Sequence, residues 1–299
     1  MFSSRVGELA ALATACLWTV NALIAESASR KVGSLPVTLI RLVLGFALMS
    51  VFNFTDRGFL FPTDATLHNW IWLSLSGIMG LAVADLCIFR AFVEIGARIT
   101  MLIMALVPPM TALISWLIMR ESLTGIDLMG MLLTVVGVAL VVLEKRQNEE
   151  KIRSKPPFSG IFLAFGGAVS QAIGLVLGKY GVGSYYFFAA TQIRVIAGII
   201  GLSIFTSFIG GWPRIFRALT YRDAMFQTSC GAFFGLFLGV SFSLLAVQNT
   251  QTGVASAIMA LVPVLIIPPS IIFKKDSVTS REVFGAIIAV AGSTILFLD

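Results

Sequence analysis

The sequence predicts an all-α integral membrane protein, with ten transmembrane helices arranged as two inverted five-helix repeats. Three observations lead there. Apolar residues make up 58% of the chain and charged residues 12%, and the mean hydropathy is +0.95, whereas soluble domains carry about a quarter charged residues. A helix needs roughly 20 apolar residues to cross about 30 Å of hydrocarbon, and ten such stretches occur, near 7–25, 35–53, 70–89, 99–119, 126–143, 159–178, 186–209, 224–247, 254–273 and 281–298. Finally, the segment IMALVP occurs twice, at 103–108 and 258–263, 155 positions apart.

The first span follows Glu8, has no evident cleavage site and leads directly into further spans, so it reads as a helix rather than a signal peptide. It carries Trp18 and Asn21 and ends near Glu26. Arg41 lies early in the second span, within TLIRLVLG. The third carries Ser76, Gly80 and Ala84 at four-residue spacing and ends just after Asp85. Pro108 and Pro109 interrupt the fourth, and Gly130 and Gly137 mark the fifth. The charged segment EKRQNEEKIRSKPPF, 144–158, is the longest connection and reads as a linker. Beyond it the same features return in order: Gln171 and Lys179 in the sixth span, Arg194 within TQIRVIAG in the seventh, Gly231, Gly235 and Gly239 in the eighth, Pro263, Pro268 and Pro269 in the ninth, Gly285 and Gly292 in the tenth.

The register of this repetition rules out chance. At an offset of 155, Ser122 meets Ser277, Thr124 meets Thr279, Gly130 meets Gly285 and Gly137 meets Gly292, while Glu121 meets Asp276 and Asp127 meets Glu282. Upstream, TLIRLVLG meets TQIRVIAG at an offset of 153. The chain therefore divides into a first five-helix repeat, 1–143, the linker 144–158, and a second repeat, 159–299. Because five is odd, the second copy enters the membrane from the opposite side, and inverted repeats are the architecture of alternating access. This is the main physical argument for a transporter.

Each class of unusual residue implies a role. The small trios of the third and eighth spans allow close backbone approach, which supplies much of helix association in lipid. Pro108, Pro109, Pro263, Pro268 and Pro269 remove backbone donors within spans, so the fourth and ninth are expected to bend and to wall a cavity or gate. Ionisable groups inside spans are functional candidates. Arg41 and Asp85 lie at similar depths and are placed to pair, either as a fixed tie or as a site where Asp85 exchanges a proton or meets a substrate amine. Arg194 has no inherited acid, since Val240 stands opposite Asp85 in the repeat. It is expected either to meet an anionic substrate group or to snorkel to the interface. Trp18, Asn21, Gln171, Tyr180, Gln248 and Asn249 complete the candidate lining.

Other functions lack their residues. No metalloprotease motif, nucleophile elbow or paired-acid cluster occurs, and the one histidine, His68, is expected in a loop, so no enzyme, catalytic residue, metal or other cofactor is implied. Cys16, Cys87 and Cys230 have no pairing spacing and read as packing residues. The net charge of +6 is spread over loops, which argues for a membrane surface and against nucleic acid. Fifteen basic residues, from Arg30 to Arg281, fall on the odd-to-even loops, against four, Arg5, Arg57, Arg120 and Lys179, on the other side. The positive-inside rule then puts both termini outside.

The segments MALVPPMTALISWLIMRESLT and MALVPVLIIPPSIIFKKDSVT, with an early Arg in the second span of each half, resemble the EamA family of the drug/metabolite transporter superfamily over essentially the whole chain. The resemblance implies secondary transport of a small metabolite, such as an amino acid or related polar or amphipathic compound, often outward, through a central cavity between the halves. It also implies a multi-pass protein of the cell (inner) membrane with its termini inside, against the charge count. Many members carry a carboxylate immediately before the proline of the fourth span of a half, where this chain has Val107 and Val262. A lipid-carrier flippase of the same fold and a non-transporting scaffold are the alternatives. The expected partners are the bilayer and a small-molecule substrate, with proton coupling through Asp85 and a monomeric chain. A dimer through the Gly130/Gly137 and Gly285/Gly292 faces is the alternative to packing within the bundle.

Overall fold

The computed structural model describes residues 5–121, 123–149, 158–265 and 279–298. Among the described residues, seven helices are long and apolar enough to cross a membrane: α1 (Val6–Val32), α2 (Ser34–Arg57), α3 (Leu67–Gly96), α4 (Ile99–Met119), α6 (Phe158–Val182), α7 (Phe187–Phe208) and α8 (Arg222–Asn249). Three more carry shorter apolar cores: α5 (Gly125–Glu149), α9 (Thr252–Leu265) and α10 (Ser280–Leu298). A short helix, Trp212–Ala218, lies between α7 and α8.

Local chemistry places the helix ends. α1 closes at Gly33, whose φ of 93° suits a residue without a Cβ, and its last turn carries Arg30 and Lys31, which complement the negative end of the helix dipole. Thr66 caps α3 by accepting from the Asn69 amide, and Thr124 and Asp127 form the matching box at α5, the Thr124 amide donating to Asp127 Oδ2 at 2.9 Å. The start of α3 is earlier than the 70–89 span suggests, so His68 lies in its first helical turn rather than in a loop. Gly96, at φ 81°, separates α3 from α4.

Both repeat-matched breaks are present. The helix ending at Met104 gives way to a turn at 105–106 before Val107–Met119, and Thr252–Met259 gives way to a turn at 260–261 before Val262–Leu265. Pro108, Pro109 and Pro263 therefore sit in first turns, where the missing N–H costs no helical bond. Pro108 is buried, Pro263 half-buried and Pro109 exposed. Pro268 and Pro269 lie outside the described residues. The centres of α3 and α8 are π-helical, over Ile78–Val83 and Gly231–Val240, a local widening that periodicity did not forecast.

Packing repeats under exchange of the two groups of five helices. α1 lies on α8 as α6 lies on α3, while α2 crosses α7, α4 crosses α9 and α5 crosses α10. The small faces do the close work. Gly80 meets Gly174, where an added methyl would stand 2.6 Å from the Gly80 Cα, and Gly239 meets Trp18, where it would stand 2.8 Å from Cδ1. At the α5–α10 crossing Gly130 faces Gly292 and Gly137 faces Gly285, so these faces pack against each other within one chain and the helices run antiparallel there. Leu42, Val195 and Leu236 join α2, α7 and α8 in a shared apolar cluster. Cys16 is exposed rather than packed.

Candidate functional site

Six of the nine lining candidates converge on one cavity. It is walled by α1, α2, α3, α4, α6, α7, α8 and α9, has a volume of about 130 Å³, and is lined by Trp18, Asn21, Arg41, Asp85, Gln171 and Arg194 together with Val107 and Pro263. Gly80 of the α3 trio also reaches it, and Ser243, Ser256, Phe89, Phe92, Met101, Met104 and Met259 complete the wall. Polar heads and soft apolar walls in one concave space are the usual composition of a small-molecule site.

The arginine of α2 is held in place through both terminal nitrogens. Arg41 is 3% exposed, its Nη2 donates to Asp85 Oδ2, and its Nη1 lies 3.5 Å from Asn21 Oδ1. The Phe89 ring lies 5.0 Å from its Cζ, adding a cation–π contact. Only Nε of Arg41 is buried without a partner.

Arg194 is also 3% exposed, so it does not snorkel to an interface. Its Nε and Nη1 are buried and have no hydrogen-bond partner. Asp85 acts on it only through space. The polar residues nearest to it in sequence serve elsewhere. Gln192 accepts from Asn53 and donates to Ser50 and the Leu60 carbonyl, and Lys179 donates to the Thr250 carbonyl and pairs with Glu121.

Gln248 is a correction. Its Nε2 donates to the Gly183 and Tyr185 carbonyls at 2.7 and 3.1 Å, tying α8 to the α6–α7 turn. It lies in the last turn of α8, where the carbonyls of the neighbouring α6–α7 turn take up the amide away from the cavity. Tyr180 likewise packs with His68 and Trp72, and Asn249 bonds back to Leu245. Gly231 and Gly235 face Asn21 from α8 rather than lining the cavity themselves.

One polar cluster was not anticipated. Lys179, at the end of α6, pairs with Glu121 at 2.5 Å and donates to the Thr250 carbonyl at 2.6 Å. The same carboxylate accepts from Ser115 Oγ at 2.5 Å and from the Thr252 amide at 3.0 Å, while Thr250 Oγ1 donates to Glu8 at 3.0 Å. Starts and ends of α1, α4, α6, α8 and α9 are thereby latched together at one end of the bundle. Burial pushes the Glu121 carboxyl up, but the bonds from Lys179, Ser115 and the Thr252 amide outweigh it and hold it below the usual carboxylate range. The repeat singled out Glu121, but nothing local to the sequence names Lys179 as its partner, 58 positions on.

The comparisons agree with this arrangement. The pattern of the EamA-like transporter family matches residues 5–143 and 158–298. The human protein solute carrier family 35 member G1 is 25% identical over 240 residues, covering 75% of this chain and 61% of that protein. This chain thus spans less than two thirds of that relative's length. A solved crystal structure of another protein superposes with a TM-score of 0.76 at 14% identity, over 99% of this chain and 98% of its own, which establishes likeness of fold. With nearly the whole chain matched in two successive blocks, this multi-pass membrane protein belongs to the EamA-like transporter family, within the drug/metabolite transporter superfamily.

Proposed function

We propose that the chain is a secondary transporter of a small metabolite, an amino acid or related amphipathic compound, working by alternating access through the cavity between two inverted five-helix repeats. The observation that carries this reading is the cavity itself: it holds the spans' two arginines and Asp85 where α1 to α4 meet α6 to α9. The exchange-related packing supports the inverted repeat, and the antiparallel Gly130–Gly292 and Gly137–Gly285 contacts are those of a pseudo-two-fold axis passing between α5 and α10.

The Glu121–Lys179 latch seals the end of the bundle that carries Glu8, and the cavity extends from Ser243 and Ser256 towards Phe92 and Met101, away from that seal. In this conformation one gate is closed. With the fifteen-residue basic side in the cytoplasm, the sealed end is the outer one and the cavity faces inward. A reporter fused after Asp299 and active on one side only tests that orientation. Asp85, the one carboxylate of the cavity among the described residues, is the proposed proton-exchanging group, and export across the cell membrane the proposed direction.

The deciding measurement is flux. Purified protein in proteoliposomes is expected to move a metabolite from a labelled mixture, faster with a pH gradient, and Asp85→Asn, compared at equal amounts of folded reconstituted protein, is expected to lose the gradient effect. Uptake no greater than in empty liposomes, with folded protein present, rejects transport. Gradient-driven uptake by Asp85→Asn rejects coupling through that residue.

A further inference from the structure

The two arginines of the cavity occupy the same repeat position, and the partners of one are missing from the other. Arg41 is matched by Arg194 at the 153 offset. Asn21, which faces Arg41, is matched at that offset by Gly174, and Asp85 at the 155 offset by Val240. The second half therefore keeps the cation and omits both groups that hold it in the first. Glycines take up the vacated space. A methyl group on Gly80 would lie 3.2 Å from Arg194 Nη2, and one on Gly178 would lie 3.8 Å from its Cζ.

The charge of the lining does not balance. Among the described residues its ionisable ones are Arg41, Asp85 and Arg194, which leaves one positive charge in excess in a half-open, largely apolar space. An uncompensated buried charge is strongly unfavourable, and a guanidinium does not relieve it by losing a proton. One added negative charge restores neutrality, whereas a second overshoots and an added cation makes the imbalance worse.

We infer that Arg194, which lines the cavity and whose Nε and Nη1 are buried without a partner, is the docking site for a single carboxylate, and that the cavity selects monoanions with a compact apolar body. The bidentate fork of a guanidinium fits a carboxylate. Leu175, Met101, Met104 and Met259 supply soft, adaptable surface for the remainder. The cavity of about 130 Å³ is close to the roughly 150 Å³ apolar space that holds benzene. This assignment deepens the transport reading and rests on it only in taking the ligand to be the cargo.

Thermal-shift titration of the purified full-length protein tests it with four probes of one shape: phenylacetate, phenylacetamide, phenethylamine and phenyl phosphate. Phenylacetate is expected to bind roughly tenfold to a hundredfold more tightly than phenylacetamide, as befits charge-assisted hydrogen bonds, and the amine and the phosphate more weakly still. Arg194→Gln is expected to remove the preference for the acid over the amide, and Arg194→Lys to keep it at reduced strength. Equal or tighter binding of phenylacetamide or phenethylamine, no binding by any of the four, or an undiminished preference in a folded Arg194→Gln protein overturns the inference. The wild-type titration decides even where the Gln variant fails to fold. Liposome flux without discrimination for the carboxylate removes the Arg194 site and leaves transport standing. Carboxylate-selective binding without flux of any labelled metabolite does the reverse.

Discussion

Arg41 and Arg194 began as copies, and each is 3% exposed in the same cavity, yet one is held by Asp85 and Asn21 and the other by nothing. Their backbones remain equivalent, one on each side of the α2–α7 crossing. What changed is a handful of facing side chains: an aspartate became valine, or the reverse, and an asparagine stands where glycine does. Duplication thus set the geometry of the site, and divergence at two facing positions set its charge. The same contrast marks the ends of the bundle. Lys179 and Glu121 latch one end, while the repeat partners of these residues are Glu26 and Asp276, two acids in place of an ion pair. At the other end Glu26 instead pairs with Arg30 of its own helix at 3.0 Å.

The largest way to break the comparison is to make both arginines alike. Asp85→Asn leaves two buried guanidinium groups without a counter-ion and is expected to cost about 3–5 kcal/mol, read as a lowered melting temperature in detergent. Val240→Asp makes them alike in the opposite sense by supplying Arg194 with an acid. It is expected to neutralise the cavity and abolish phenylacetate binding without lowering the melting temperature as Asp85→Asn does. Equal melting of the two variants would count against the asymmetry.

The α5–α10 crossing is the region where the halves did not diverge. Gly137→Ala places a methyl 2.6 Å from the Gly285 carbonyl, and Gly292→Ala places one 2.7 Å from the Gly130 carbonyl. Each is expected to destabilise by about 1–3 kcal/mol through overpacking, and by nearly the same amount as the other, in parallel melts. A wide difference between them would argue against a shared axis at this crossing.

Smallest is the latch. Glu121→Gln keeps the shape but loses the charge and is expected to cost roughly 1 kcal/mol, and to increase labelling of a cysteine placed at Ser115 from the sealed end. Because the folded carboxyl titrates below its ordinary 4.5, the latch contributes fully above that pH and loses its contribution as the pH falls through the lower folded value. Melting curves stepped down from pH 6 are expected to show this loss in the wild type and a shallower one in Glu121→Gln. Identical pH profiles would reject the latch as the titrating element.

Much of this was legible before folding. Helix locations follow from hydrocarbon thickness, and the breaks in α4 and α9 follow from proline chemistry at repeat-matched positions. Spans α2, α3 and α7 place Arg41, Asp85 and Arg194 at comparable depths because rise per residue is constant. The misplaced Gln248 shows where such reasoning stops. A depth along a helix says nothing about which way a side chain is drawn, and the carbonyls of Gly183 and Tyr185, 65 and 63 positions away, decided it.

The sequence by itself determined the membrane setting, the two matched halves, the bends and the short list of buried charges. Each of these depends on composition or local spacing, which the chain carries before any segment meets another. Only the tertiary structure decided that the small face of α3 docks on α6 and that of α8 on α1, that Lys179 belongs to Glu121, and that Arg41 rather than Arg194 holds the aspartate. Those outcomes depend on which segments, distant in the chain, come within a few ångströms, where hydrogen bonds form and charges must balance.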